Sequence, residues 1–498
     1  MAEAKSLVKD SAIYGGSTIL VRMINWLMTS LLTRCLIPED FGLMTNLYAY
    51  AALAIVILTF GMETGFFRFV NQTDKYEPKT VYSTILILIG SIVGVALIAF
   101  QAFLPAMRQF VWNDTVPEAY LRLIVIILCL DSFSAIPFAY LRYKKRPVKF
   151  GSLKLLYVIL YALFCTFFLV VCPWINERAP QLISWFWVDD FNLGYVFVSN
   201  LIATTAENIG LLPELTGFRY KFDKKIAIKL LRYCFPLALM GIAGISNQVF
   251  DKIIFPFIYS DPAFAYEELG VYSACFKIAL IMIMFTQAFR YAYEPFIFEK
   301  SRDKDAKESY ASVMKYFVIS GLFIFLAVVF YLDIIKYFID PAYFGALGIV
   351  PVALIGELFF AIYANLSLWY KLSDKTHWGT IFSVISCTLI ILINVIFIPV
   401  YGYWACAWAV FVGNGITMIL SYFVGQKHYP IDYQLKRLGF YFLLTFILFA
   451  ISCLIPFKNE WIRMGCNTIL IFIYIFVVVK KDIPLRDIPY INRLLKWK

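Results

Sequence analysis

The fold is decided by two neighbouring apolar stretches, RYCFPLALMGIAGISNQVFDKIIF (residues 232–255) and LGVYSACFKIALIMIMFTQAFRYAYEPF (residues 269–296). At a rise of about 1.5 Å per residue, an α-helix of either length crosses the hydrocarbon core of a bilayer. The 13 residues between them include the polar residues Ser260, Asp261, Glu267 and Glu268. The two stretches therefore predict a pair of membrane-spanning helices joined by a short hairpin.

Both stretches carry polar residues at depths where such residues are rare. The first contains Asn247, Gln248 and Asp251, and the second contains Lys277 and Arg290. A charge at the centre of a membrane-spanning helix costs about 2.5–3.5 kcal/mol on insertion scales, so it normally faces protein or a wet cavity. Close helix packing accounts equally well for any one of these residues. For the set, the better interpretation is a polar passage between helices.

The composition extends this prediction to the whole chain of 498 residues. It is 61% hydrophobic and 15% charged, whereas soluble domains carry about 25% charged residues. We predict an all-α polytopic membrane protein with about 14 spanning helices. The predicted segments are 11–33, 43–66, 80–104, 119–141, 150–173, 191–213, 231–256, 270–293, 313–332, 346–370, 380–398, 404–424, 440–457 and 465–480.

The distribution of Lys and Arg supports this count. Loops on the side of the N-terminus hold about 32 of these residues, and the opposite loops hold about 6. Because cytoplasmic loops are enriched in Lys and Arg, we predict that both termini are cytoplasmic. The net charge of +11 then reflects topology rather than a nucleic-acid partner.

The first predicted helix has the clearest polar pattern in the chain. Intervals of four and three residues place on one helical face Ser11, Gly15, Thr18, Arg22, Asn25 and Thr29. Arg22 lies near the middle of the segment, too deep to reach either surface easily. It either forms a buried ion pair with an acid on another helix or supplies a cation to a water-filled cavity.

Several acidic residues lie within or beside the predicted helices. The candidates for coupling transport to an ion, or for pairing with deep cations, are Glu63, Asp131, Asp251 and Glu357. Other charged residues lie near segment ends, where long side chains can reach the membrane surface. For that reason we expect little functional weight from Arg122, Lys154 and Glu207.

A weak internal repeat predicts how the helices are grouped. FGLMTNLYAYA (residues 41–51) is similar to LGVYSACFKIA (269–279), and each follows a pair of acidic residues. Duplicated bundles are common in transporters, with the substrate site where the copies meet. We predict an N-lobe (1–213, helices 1–6), a cytoplasmic linker (214–229), a C-lobe (230–424, helices 7–12), and two peripheral helices with a basic cytoplasmic tail (425–498).

Signatures of catalysis are missing from the sequence. It has no Gly-rich phosphate loop followed by Lys and Ser/Thr, and no Gly-x-Ser-x-Gly motif. The ten cysteines lie mostly in apolar segments without metal-site spacing, and the two histidines lie in predicted loops. We therefore predict no catalytic residue, no metal site and no cofactor other than a coupling H⁺ or Na⁺.

The two opening stretches resemble the Wzx-type polysaccharide flippases of the multidrug/oligosaccharidyl-lipid/polysaccharide exporter superfamily. The matching positions there are Pro236, Asp251, Lys252, Gly270, Tyr272, Ser273, Pro295 and Phe296. Further matches are TRCLIPEDFG (33–42), GMETGFFRF (61–69), Lys375 with Thr376, and Asn394 followed by IPVYG (398–402). Where the family usually continues Gly-Ala-Ala, this chain has Trp404, Ala405 and Cys406.

The resemblance implies a function. A member of this family moves a polyprenyl-diphosphate-linked oligosaccharide, such as an O-antigen, capsule or exopolysaccharide unit, across the bacterial cytoplasmic membrane by alternating access. We expect transport to be coupled to an ion or proton. We also expect a monomer in contact with membrane lipids, with a polysaccharide polymerase and glycosyltransferases as partners. The substrate-binding residues would be Thr18, Arg22, Asn25, Asn247, Gln248, Lys277 and Arg290.

Two other functions stay open at this stage. A drug or cation exporter of the same superfamily needs an acidic cavity, and the deep cations Arg22 and Lys277 argue against one. A membrane polysaccharide polymerase or glycosyltransferase usually needs a large catalytic loop, and the longest exterior loop here, near residues 174–190, is short.

Overall fold

The structure is a computed structural model that describes residues 2–300, 305–373, 375, 377–454 and 460–482. Within these ranges the side chains of residues 2–12, 291–292 and 294–300 are not described. Four features of the sequence therefore lie outside the described residues or side chains: Ser11 of the polar stripe, the Pro295–Phe296 motif, Thr376 and the basic tail after residue 482.

In the described ranges every regular element is helical, and fourteen of the helices are long. They are α1 (Ala2–Cys35), α2 (Pro38–Thr59), α3 (Pro78–Trp112), α4 (Glu118–Tyr143), α5 (Pro147–Thr166), α6 (Asn192–Leu211), α7 (Lys224–Ile258), α8 (Ala265–Lys300), α9 (Ala306–Phe330), α10 (Val350–Leu366), α11 (His377–Tyr401), α12 (Tyr403–His428), α13 (Leu435–Leu454) and α14 (Glu460–Asp482). Short helical segments extend three of them: Met62–Val70 follows α2, Phe167–Val171 and Cys172–Arg178 follow α5, and Leu368–Leu372 follows α10.

The predicted fold class is confirmed. Among the described residues, 12 helical runs are long and apolar enough to cross a membrane, so the predicted count of 14 is approximate. The helices α1 and α6 are not among these 12, although they occupy the positions of the first and sixth predicted segments. Each predicted segment overlaps one of the fourteen helices. Several helices are longer than predicted, because hydropathy marks only the part of a helix that matches the hydrocarbon core.

Local sequence explains where the helices begin. Pro38, Pro78 and Pro147 stand at the first position of α2, α3 and α5, where the missing N–H costs nothing. Asp223 caps α7, because its carboxylate accepts hydrogen bonds from the backbone N–H groups of Lys225 at 2.8 Å and Ile226 at 3.1 Å. These rules act on sequence neighbours alone.

The chain divides into two compact units. The first comprises Met1–Ala274 and Ser383–Ala409, and the second comprises Cys275–Phe382 and Val410–Lys498. This division follows spatial contacts, whereas the lobes predicted above follow the sequence repeat. The lobe boundaries at 213 and 230 remain a prediction about duplication.

In the first unit, a core of apolar and aromatic side chains joins the end of α2 to α3, α4 and α7. Phe66, Tyr82 and Ile85 are fully buried in it, and the rings of Tyr82 and Tyr140 stack at 3.9 Å between centroids. Without a hydrophobic driving force between helices in lipid, such close packing is what holds them together. This core supports the ends of four helices on one side of the unit.

The start of α2 crosses the start of α8 at two glycines. A Cβ atom on Gly42 would lie 1.8 Å from the carbonyl oxygen of Tyr266, and one on Gly270 would lie 1.9 Å from that of Pro38. No side chain fits at either position, so the backbones touch directly. Gly42 and Gly270 occupy the same place in the two repeated segments, 41–51 and 269–279.

Candidate functional site

Helix α1 packs against α5 on one face and exposes Arg22 on another. A Cβ atom on Gly151 would lie 3.2 Å from the Cβ of Ser17, and the rings of Tyr14 and Phe150 are 5.2 Å apart. Arg22 is exposed, and in the part of the chain that the structure describes it forms neither an ion pair nor a hydrogen bond. The helix-borne acid considered as its partner is not found among these residues.

Among the described side chains of the polar stripe of α1, those of Arg22 and Asn25 are exposed. Gly15 and Thr29 are buried, Thr18 is half-buried and donates a hydrogen bond to the carbonyl of Tyr14 at 2.8 Å, and Asn25 is exposed beside Arg22. An arginine that faced lipid at the middle of a membrane-spanning helix, as the sequence predicts for α1, would cost several kcal/mol. The exposed part of the stripe therefore suits a hydrated or anionic environment.

The neighbouring polar residues Asn247 and Gln248 of α7 differ in their exposure and in their hydrogen bonds. Asn247 is half-buried and donates a long hydrogen bond, 3.5 Å, to the carbonyl of Ser383 on α11. Gln248 is exposed, and its backbone carbonyl accepts a hydrogen bond from Lys252 at 3.0 Å. Asn247 thus contributes to helix packing, and Gln248 leaves its side chain accessible.

Asp251 is the centre of a buried polar contact between α7 and α8. Its side chain is 6% exposed, lies 3.0 Å from the ammonium of Lys252, and accepts a hydrogen bond from the hydroxyl of Tyr272 at 2.8 Å. The backbone carbonyl of Lys252 accepts a further hydrogen bond from Asn46 of α2 at 2.7 Å. In this structure Asp251 is a paired acid that joins α7 to α8, and the neighbouring carbonyl of Lys252 joins α7 to α2.

The other predicted acids and cations also have partners. Glu63 forms an ion pair with Arg142 of α4. In the second unit Lys277, Arg290 and Glu357 are half-buried, and each has an interaction partner. Of the predicted substrate-binding cations, Arg22 is thus the one without a partner among the described residues.

The first unit also contains a cluster that the sequence reasoning undervalued. The side chain of Glu207 is only 2% exposed, and its Oε1 lies 3.0 Å from the Nζ of Lys154. The expectation that Glu207 reaches the membrane surface was wrong, because α6 is packed between other helices at this position. Asp131 of α4 lies beside this pair and accepts a long hydrogen bond, 3.5 Å, from Thr204.

Neutral polar groups extend this cluster across four helices. Asn200 accepts hydrogen bonds from Tyr157 of α5 at 3.0 Å and from Thr204 at 3.3 Å, and it donates one to Tyr48 of α2 at 2.9 Å. We call Asp131, Lys154, Asn200, Thr204 and Glu207 the acidic cluster. Asn200, Thr204 and Glu207 are spaced four and three apart on α6, and this helical stripe could have revealed the cluster in the sequence.

The charges of the acidic cluster do not cancel. Asp131 and Glu207 carry two negative charges when ionised, and Lys154 supplies one positive charge. A buried net charge is costly, so the cluster is suited to take up a proton or a monovalent cation. In the described residues no group of three or more His, Cys, Asp or Glu side chains could hold a metal ion.

The sequence profile of a known family covers more than half of the chain. Residues 7–299 match the family described as "Polysaccharide biosynthesis protein". The chain belongs to this family. The match includes both opening stretches, the polar stripe of α1 and the acidic cluster. It confirms the resemblance drawn from the sequence motifs.

Solved structures show the same fold for this polysaccharide biosynthesis protein. Lipid II flippase MurJ in an inward closed conformation superposes with a TM-score of 0.70 at 15% identity, covering 94% of this chain and 98% of that chain. An inward-facing multidrug resistance MATE family transporter of the MOP superfamily superposes with a TM-score of 0.60 at 13% identity, covering 82% of this chain and 94% of that chain. An outward-facing conformation of such a transporter superposes with a TM-score of 0.55 at 13% identity, covering 84% of this chain and 95% of that chain. No curated protein sequence matches this chain significantly.

Together these findings give the coarse function. The chain is a multi-pass membrane protein of the polysaccharide biosynthesis family, and it has the fold of a lipid flippase and of multidrug transporters. Neither the similar structures nor the family description points to an enzyme. At identities of about 15% the similar structures speak for the fold and leave the substrate to be argued from this chain's own residues.

Proposed function

We propose that this protein moves a polyprenyl-diphosphate-linked oligosaccharide from the inner to the outer face of the bacterial cytoplasmic membrane. The observation that carries the proposal is Arg22, a mid-helix guanidinium that is exposed and lacks a partner in the described part of the chain. A diphosphate that crosses the membrane needs such a cation, because guanidinium pairs with phosphate through two parallel hydrogen bonds. Thr18 and Asn25 on the same stripe would contact the adjoining polar groups.

The acidic cluster is our candidate for the coupling site. Its single excess negative charge would be neutralised by H⁺ or Na⁺, and its hydrogen bonds join α2, α4, α5 and α6. Neutralising the cluster would change how these helices pack. Binding of the coupling ion and alternating access would then be linked in the first unit.

The direct test replaces Arg22 in cells that lack the native protein. We expect Arg22→Ala to lower surface polysaccharide about 10- to 100-fold, because a charge-assisted contact to the diphosphate is lost. Lipid-linked repeat units should accumulate on the inner face. Arg22→Lys should retain part of the activity if a point charge suffices, and should behave like Arg22→Ala if the planar fork is required.

The matched control is Arg122→Ala. Arg122 is also an exposed arginine of the first unit, but it is paired with Glu118 one turn away on α4. With equal amounts of each variant in the membrane, surface polysaccharide should stay near the wild-type level in Arg122→Ala. Normal polysaccharide in Arg22→Ala would overturn the proposed substrate role.

The competing function, export of a cationic drug, has one observation in its favour, the negative charge of the acidic cluster. Glu207 is too deeply buried to contact a drug-sized cation, which favours the smaller coupling ion. Efflux of ethidium from cells separates the two functions. Ethidium efflux that is lost in Asp131→Asn but kept in Arg22→Ala would support a drug exporter.

A further inference from the structure

A polar cavity of about 260 Å³ opens on the first unit, away from α1 and the acidic cluster. It lies where α3 begins and α4 ends, and the connection between α6 and α7 closes its third side. Among the residues around it are Lys79, Tyr140, Lys144, Arg146, Glu214 and Gly217. Neither the proposed transport path nor the coupling site uses these residues.

The walls of the cavity are held in place by a buried carboxylate. The side chain of Glu214 is 5% exposed and lies 3.2 Å from the guanidinium of Arg146 and 2.8 Å from the ammonium of Lys149. Its backbone carbonyl accepts a hydrogen bond from the hydroxyl of Tyr82 at 3.1 Å. The connection between α6 and α7 is thereby fastened to α3 and α5, and the cavity is preformed.

The charges around the cavity do not balance. Lys79, Lys144 and Arg146 are three cations, and Glu214 is one acid, so the surplus is two positive charges. Arg146 is paired with Glu214. Lys144 lies over the rings of Tyr140 and Tyr143, and neither Lys79 nor Lys144 has an acidic partner within the described residues. Two exposed ammonium groups and a guanidinium converging on a cavity are typical of phosphate binding.

The location of the cavity restricts the class of ligand that it can bind. Lys79 is at the start of one spanning helix and Lys144 directly follows the end of another, so both lie where lipid headgroups meet water. The distribution of Lys and Arg predicts that this face is cytoplasmic, the side on which anionic lipids attract basic residues. We propose that this cavity binds the phosphate group of a membrane lipid. Two lipids share this chemistry, an anionic phospholipid and a polyprenyl diphosphate, and the site does not depend on the transport function proposed above.

The test compares two double variants of the full-length protein in detergent micelles. Lys79→Gln with Lys144→Gln removes two charges from the cavity. Lys75→Gln with Lys145→Gln removes two other exposed charges from the same face, at positions that do not line the cavity. Binding is measured by native mass spectrometry with dioleoyl-phosphatidylglycerol and, separately, with farnesyl diphosphate.

We expect the cavity variant to bind at least one probe about tenfold more weakly than wild type, and the control variant to stay within about twofold. Loss confined to phosphatidylglycerol assigns the site to phospholipid, and loss confined to farnesyl diphosphate assigns it to the polyprenyl carrier. Equal losses in the two variants would show general surface attraction and would overturn the proposal, as would unchanged binding in both. Because no lipid moves across a membrane in this assay, a failed transport function would leave the result unaffected.

Discussion

Two buried charge clusters, one in each unit, differ in the sign of their surplus. In the second unit the fully buried carboxylate of Asp482 lies 2.7 Å from the ammonium of Lys315 and 3.1 Å from Nε of Arg437, and it accepts a hydrogen bond from Tyr441. Two cations thus surround one acid. In the acidic cluster of the first unit two acids share one cation, Lys154.

We propose that this difference separates a structural charge from a functional one. The carboxylate of Asp482 has partners on α9 and α13, and Arg437 is exposed enough for water to solvate its surplus charge. In the acidic cluster the surplus is negative, and Glu207, one of its two acids, is almost completely buried. A buried site that lacks one positive charge is complete only when a proton or cation binds.

The largest expected effect is that of Asp482→Ala. This change leaves Lys315, whose side chain is 10% exposed, without its acid, and we expect a loss of about 3–5 kcal/mol in the free energy of unfolding. Thermal unfolding of the purified protein measures it. The control is Lys480→Ala on the same helix, an exposed residue, which should stay within about 0.5 kcal/mol of wild type. Equal stability of the two variants would show that the Asp482 contact is not structural.

The next largest effect tests the negative surplus charge of the acidic cluster. Lys154→Met leaves Asp131 and Glu207 without a cation, and at neutral pH we expect about 3 kcal/mol of destabilisation. Lowering the pH to about 5 should recover part of this loss, because protonation removes the buried charge from the folded state while exposed carboxylates of the unfolded chain stay ionised. Asp482→Ala should show no such recovery, since its unpaired group is an ammonium. A loss in Lys154→Met that does not depend on pH would show that the two carboxylates are not both charged.

The smallest effect on stability and the most specific effect on function should come from Asp131→Asn. The amide keeps the size of the side chain and removes the surplus charge, so the free energy of unfolding should change by less than about 1 kcal/mol. Transport of a lipid-linked oligosaccharide into proteoliposomes under a pH or Na⁺ gradient should fall about tenfold, within the usual range of coupling free energies. Unchanged gradient dependence in Asp131→Asn would remove the acidic cluster from the coupling mechanism.

The outcomes for particular residues show how far sequence reasoning reaches. The spacing of Thr18, Arg22 and Asn25 predicts a common helical face, and the structure places the exposed residues Arg22 and Asn25 there. The sequence similarity between residues 41–51 and 269–279 is weak, yet the two glycines that it aligns, Gly42 and Gly270, lie in contact in the structure. Glu207 was misjudged, because its distance from a helix end says nothing about which neighbouring helices cover it.

The amino-acid sequence alone is enough to predict the helices and, approximately, how many of them cross the membrane, because crossing a bilayer demands about 20 apolar residues and satisfied backbone hydrogen bonds wherever the chain enters lipid. It also determined that Arg22 lies in the middle of one of these helices. Which charges have partners depends on how the helices pack in three dimensions. Lys154 meets Glu207, and Lys315 meets Asp482, across separations of 53 and 167 residues along the chain. Such distant pairs are set by how helices pack, and no local periodicity contains that information.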